Sequence, residues 1–201
     1  MTDTRSDGGG TMGGRPDHGD NNERLREATV GDLERHDDTV ALAEYDPAWP
    51  DLYLREAERI RTALGTSALA VHHVGSTSVP GLPAKPVIDI VLTVSDSADE
   101  AAYVPALKEA GYVLRIREPD WYDHRLLEGP DTDVNLHVFS EGCPETDAML
   151  AFRDRLRADD AERDRYARAK RELADRRWRY VQDYADAKSD VVRGILDDDR
   201  P

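Results

Sequence analysis

The residues best suited to chemistry lie in one stretch, His73-Val-Gly-Ser-Thr-Ser-Val-Pro-Gly-Leu-Pro-Ala-Lys-Pro-Val-Ile-Asp89. Gly75 lets a phosphate or another backbone segment come close, and Ser76 and Thr77 add hydroxyls beside it. Lys85, later in the same turn, offers phosphate a point charge. Asp89 then stands among Val87, Ile88, Ile90 and Val91. A carboxylate in such an apolar run is costly to desolvate unless it is paired or metal-bound. A small-residue anion cradle followed by a strand carboxylate outlines a metal–nucleotide site. Phosphoryl or nucleotidyl transfer there would use Mg²⁺ to neutralise the phosphates and acidify the attacking hydroxyl, with Asp89 as ligand. The bland alternatives are a turn glycine and an aspartate that accepts loop amides.

More candidates lie downstream. In Val134–Phe139 the side chains alternate, so Asn135 and His137 share one strand face and Val134, Leu136 and Val138 the other. His137 suits metal ligation, phosphate binding or general-base work, or a structural hydrogen bond. Asp133 continues that alternation at the strand's start. Arg125 has the planar fork to clamp a phosphate bidentately. Arg153–Arg179 is rich in basic residues, and Arg153 and Lys170 would face a substrate phosphate if this is not a salt-bridged surface. His72 and His73 alternate and cannot both face one site.

These residues need elements to hold them. The apolar runs Ala68–Val74 and Val87–Val94 read as buried strands joined by the long turn. Asp51–Leu64 has helical spacing and stops at Gly65. Ser97–Ala110 reads as a helix that Pro105 kinks unless it begins there. Strands follow at Tyr112–Ile116, Trp121–Leu127 and Val134–Phe139, then helices from Glu145, broken near Ala158–Ala161 and after Arg177. Thr39–Glu44 alternates as a short edge strand, and Glu23–His36 suggests a short helix. The order predicts an α+β fold, a mixed sheet with helices packed mainly on one side and a helical C-terminus. Met1–Asn22 carries almost no large apolar side chain and is expected to lack structure, so residues 1–38 form an extension to a domain over 39–201.

Composition bounds the function. The chain has 201 residues and a net charge of −15, with only four lysines, Lys85, Lys108, Lys170 and Lys188. An acidic surface poor in lysine suggests a halophile's solvation strategy. It also argues against a polymeric nucleic-acid partner, whose phosphates it would repel. Cys143 is the single cysteine, which excludes an intrachain disulfide and a cysteine zinc site. No apolar run suits a membrane span and no signal-peptide pattern appears, so a cytoplasmic location is expected.

The stretch from His73 to Asp89 resembles the signature of the GrpB family, and the likeness runs from about Tyr45 to about Leu196. The resemblance implies a polymerase-beta-like nucleotidyltransferase fold, with Gly75-Ser76 gripping nucleotide phosphates and Asp89 holding Mg²⁺. It implies a nucleoside triphosphate as donor and a small molecule or protein as acceptor. It also brings His137 forward as a further metal ligand or catalytic group, and matches Arg153 and Lys170 to the family's tail. Many such transferases carry a second acid two residues after the first, where this chain has Val91. The alternative is therefore a non-catalytic nucleotide- or metabolite-binding module of the same fold, or a scaffold in which the signature only holds a tight turn.

Overall fold

The computed structural model describes residues 21–33 and 36–197, so the expectation for residues 1–20 lies outside it. Five strands form one mixed sheet: β1 (Ala70–Val74), β2 (Ile88–Val94), β3 (Val113–Glu118), β4 (His124–Glu128) and β5 (Val134–Ser140). Their spatial order is β1-β2-β5-β4-β3. β1 and β2 form the expected antiparallel pair, whereas β2 and β5 run parallel and set Asp89 opposite Asn135 and Val91 opposite His137. β4 continues antiparallel to β5, and β3 to β4.

The alternation of β2 decides the two faces. Ile88, Ile90, Leu92 and Val94 point into the main core with Leu136 and Val138 of β5. Full burial of each such side chain contributes about 1.5–3 kcal/mol relative to exposure. Two helices cover this face, α2 (Trp49–Leu64) through Trp49, Ala57, Ile60 and Leu64, and α3 (Val104–Glu109) through Val104 and Leu107. Pro50 lies in the first turn of α2, where its missing N–H costs nothing.

Asp89 and Val91 belong to the other face. There α4 (Pro144–Ala158) lays Met149 and Leu150 against Val74, Val91, Trp121, Phe139 and Cys143. α5 (Asp160–Ala174) follows a break at Asp159, whose carboxylate caps it by accepting from the amides of Ala161 and Glu162. α6 (Val181–Asp186) and α7 (Ser189–Leu196) complete the chain. Leu156, Tyr166, Ala167 and Ile195 pack on Val79 and Leu82. The long turn between β1 and β2 is thereby clamped by the C-terminal helices.

Three local expectations change. The segment around Thr39–Glu44 does not join the sheet; Ala43 bridges Ala84 in the long turn and Asp38 bridges Trp178. The Ser97–Ala110 helix shortens to a 3₁₀ turn at Glu100–Ala102 and then α3, because Pro105 is tolerated only in a first turn. Trp121–Asp123 is a turn rather than strand, with Tyr122 and Asp123 at φ 55° and 49°. Ahead of residue 39, α1 (Asn21–Ala28) packs against β3, with Leu25 buried and Thr29 bridging Ile116. Among the described residues no helix is long and apolar enough to cross a membrane.

Candidate functional site

Gly75 ends β1 with φ 65° and ψ −172°, a region open in practice only to glycine. Asp89, the register partner of Val74, packs its carboxylate against this position. A Cβ on Gly75 would stand 3.0 Å from Asp89 Cβ and Cγ, and closer still to Oδ2. The glycine thus makes room for the carboxylate. Gly75→Ala is expected to destabilise the fold by about 2–3 kcal/mol, through backbone strain and displacement of Asp89. Urea titration of both proteins checks this, and a loss under about 0.5 kcal/mol would show that the turn does not need its glycine.

Asp89 keeps 30 % of its side-chain surface exposed, so the carboxylate remains reachable. Asn135 Nδ2 donates to Asp89 Oδ1 at 3.0 Å, and His137 Nε2 stands 3.8 Å from the same oxygen. Burial pushes the Asp89 pKa up, but the His137 ring, the Asn135 amide and the Lys188 charge outweigh it and hold the carboxyl below its usual value. Behind His137 runs a line of polar groups that the sequence did not single out. His137 Nδ1 is 3.1 Å from His124 Nε2, and His124 Nδ1 is 2.9 Å from Glu118 Oε2. An ionised Glu118 accepts, so His124 Nδ1 carries a proton, and the proton between the two rings sits on either His124 Nε2 or His137 Nδ1. His137 Nε2 faces the Asp89 side of the site, where a proton on it favours the ionised carboxylate.

Cations from the turn and the C-terminal helices complete the surroundings. Lys170 is buried, donates to the Pro83 carbonyl and lies 5.4 Å from the Tyr166 ring centroid. Desolvation, with Lys188 adding to it and Asp89 opposing, brings its pKa down to about 7. Lys188, between α6 and α7, has Nζ 4.3 Å from the Tyr184 ring centroid. Burial brings it to about 8 against the pull of Asp89, with Lys85 lowering it too. Tyr166 bonds to Ser76, and burial raises its phenol pKa.

Several expected residues are not brought here. Thr77 turns inward at 1 % exposure, donating to the Val87 carbonyl and pairing with His73 Nε2; its hydroxyl fastens the turn instead of meeting a ligand. Arg125 lies opposite Val138 in register and therefore on the core face, away from Asp89. There it pairs with Glu100 at 2.6 Å, and Glu100 also binds Arg117. Arg153 is committed to Asp154 and the His73 carbonyl. His73 stacks on Tyr53, and burial lowers its pKa to about 4, so it is neutral near pH 7. Asp133 is exposed at the start of β5.

The fit to Mg²⁺ is narrow. Among the described residues no group of three His, Cys, Asp or Glu side chains converges as a metal cage, and Val91 is fully buried under Trp121 and Phe139. Mg²⁺ nevertheless needs only one or two carboxylates when substrate phosphates and water supply the other oxygens. Asp89 meets that requirement. An imidazole such as His137 is a poorer ligand than oxygen for this hard ion.

A family model described as GrpB protein matches residues 39–198. The chain is 63% identical over 174 residues to a UPF0157 protein of Halalkalibacterium halodurans, spanning 87% of this chain and 89% of that protein. It is 47% identical over 156 residues to a UPF0157 protein of Streptomyces coelicolor, spanning 78% and 82%. A dephospho-CoA kinase of Mycolicibacterium paratuberculosis is 35% identical over 163 residues, which cover 68% of this chain but 40% of the kinase. Among solved structures, a GrpB protein from Enterococcus faecalis superposes with a TM-score of 0.67 at 28% identity, covering 78% of this chain and 94% of that one.

Proposed function

We propose, from the premise that this chain belongs to the GrpB family, that it is a Mg²⁺-dependent nucleotidyltransferase acting on a small molecule or protein. The observation that carries the reading is the close packing of Gly75 on the Asp89 carboxylate, beside His137. The triphosphate lies against the Gly75-Ser76 turn, where Lys170, Lys188 and Lys85 meet its charge. The acceptor hydroxyl reaches Nε2 of His137, which, in the tautomer protonated at Nδ1, takes its proton. The acceptor oxygen forms a bond to the α-phosphorus, the bond from that phosphorus to the bridging oxygen breaks, and pyrophosphate leaves. His137, now positive, sits between Asp89 and the His124–Glu118 line, where its charge is paired. Mg²⁺, when held by Asp89 and phosphate oxygens, supplies charge neutralisation and a more acidic acceptor hydroxyl.

The test is incubation with each of ATP, CTP, GTP and UTP labelled on the α-phosphate, with Mg²⁺ and a panel of acceptors. Coenzyme A and dephospho-CoA belong on that panel because of the kinase relative. The expected outcome is a labelled acceptor with release of pyrophosphate. Val91 in place of a second acid favours one other reading, a nucleotide- or metabolite-binding module without turnover. Saturable nucleotide binding with no labelled product from any acceptor would select that module.

A further inference from the structure

A groove of about 470 Å³, within the size range of small-molecule sites, runs beside the long turn and takes no part in the nucleotide site proposed above. Residues from α2, β1, the turn, α4 and α5 line it. His73, on its β1 wall, shares a strand face with the core residue Val71, whereas Asp89 belongs to the opposite face of the sheet. One part of the lining is aromatic. Tyr53 and His73 stack with ring centroids 4.7 Å apart and planes 10° from parallel. Both rings are tied down: the Tyr53 hydroxyl donates to the Val71 carbonyl at 2.9 Å, and His73 Nε2 pairs with Thr77 Oγ1 at 3.1 Å. Tyr45 and Leu54 extend this surface, and Leu54 is 58 % exposed. Fixed, stacked rings beside open apolar surface suit a further planar ring.

Two guanidinium groups, Arg157 and Arg163, also line the groove. Arg157 Nε and Nη2 both donate to the Ser78 carbonyl, at 3.0 and 2.8 Å, which aims the planar fork without neutralising it. Asp154 stands 3.7 Å from Arg157 Nη1, but Arg153 already holds both of its oxygens, at 2.7 and 2.9 Å. Arg163 has Asp160 at 2.8 Å. Three arginines thus share two aspartates, and the surplus positive charge falls on Arg157, in a chain whose net charge is −15.

We infer that this groove binds a small molecule in which a planar aromatic ring carries one anionic group, a carboxylate or a phosphate. The ring packs on the surface that Tyr53, His73 and Tyr45 provide, and the anion accepts from Arg157 Nη1. The site is independent of the nucleotide site but adjoins it. Arg157 holds Ser78, and the Ser78 hydroxyl donates at 2.6 Å to the carbonyl of Gly75, the residue that packs on Asp89.

NMR titration of the isotope-labelled full chain, without nucleotide or Mg²⁺, tests this with four probes: benzoate, phenyl phosphate, benzyl alcohol and inorganic phosphate. Benzoate or phenyl phosphate should shift the resonances of Tyr53, Leu54 and His73 saturably, and the tighter of the two identifies the anion. Benzyl alcohol and inorganic phosphate each lack one half of the ligand and should bind about tenfold more weakly or worse, as should Arg157→Gln with the tighter probe, for loss of a charge-assisted contact. Arg157→Lys should recover most of that loss. Leu54→Glu, at an exposed position, puts a negative charge at the rim without touching the Ser78 carbonyl and should also weaken binding. Absence of saturable shifts with both ring-bearing anions overturns the inference, as does benzyl alcohol binding as tightly as benzoate. Shifts centred on Asp89 and His137 instead of the groove overturn it too, as does equal affinity of Leu54→Glu and wild type. Each of these results leaves the nucleotide site standing, because labelled nucleotide transfer tests that site separately.

Discussion

Replacing Asp89 with asparagine is expected to reduce Mg²⁺-dependent nucleotidyl transfer about a thousandfold while sparing triphosphate binding in EDTA. The size corresponds to loss of about 4 kcal/mol of transition-state stabilisation, the range for a preorganised charge at a reacting phosphate. Asparagine preserves the shape that Gly75 accommodates and can still accept from Asn135. Only the charge is removed. Binding persists because Lys170 and Lys188 lose the attraction of Asp89 and their positive potential rises. The free protein should lose stability, because His137, Asn135 and Lys188 favour the ionised carboxylate over its protonated form. Its depressed pKa places that contribution above the unfolded carboxyl value, and it fades as pH falls through the folded one. Labelled transfer with matched calorimetry checks the split. Turnover within about tenfold of wild type, or equal losses of binding and turnover, would remove Asp89 from the reacting centre.

Arg125→Met is expected to do the reverse, costing about 2–3 kcal/mol of stability while leaving triphosphate binding unchanged. The guanidinium is 8 % exposed, Glu100 is 24 % exposed, and their Nε–Oε1 distance is 2.6 Å. Removal of Arg125 leaves Glu100 to Arg117 alone, so the loss falls below that of a wholly orphaned buried charge. The pH dependence follows from the same group. Hydrogen bonding to Arg117, against the opposing effect of burial and with Arg125 adding to it, holds the Glu100 pKa down to about 2. A carboxyl depressed in the fold stabilises above its unfolded pKa of about 4.5, and that contribution disappears as pH falls towards 2. Wild type should therefore lose stability across that window, and Arg125→Met should lose less of it. Urea midpoints at several pH values measure both. A loss of triphosphate binding in Arg125→Met would mean that this arginine reaches the ligand after all.

Much of the site was legible along the chain. Gly75, Ser76 and Asp89 stand out because a turn glycine and a carboxylate inside an apolar strand each conflict with their surroundings unless something explains them. The structure supplies that explanation by packing one on the other. The pairing of Asn135 with His137 was equally legible, since residues two apart on a strand share a face whatever the strand pairs with. Trp49 in the core and the break at Asp159 follow from local patterning and capping.

Register was not legible. Alternation groups residues within one strand but does not say how the faces of two strands align, and a shift of one residue exchanges them. Arg125 was therefore as plausible at the site as His124, its neighbour, until pairing with β5 set Arg125 opposite Val138 and His124 beside His137. Lys188 lies 99 residues after Asp89 by sequence number, and only the packing of α7 on Val79 and Leu82 of the long turn brings its charge near Asp89. The scarcity of lysine was the one signal that pointed to it. Sequence by itself determined which residues were chemically out of place, because that depends on neighbours along the chain. Tertiary structure alone decided which of them meet, because strand register and helix docking arise from burial summed over distant segments.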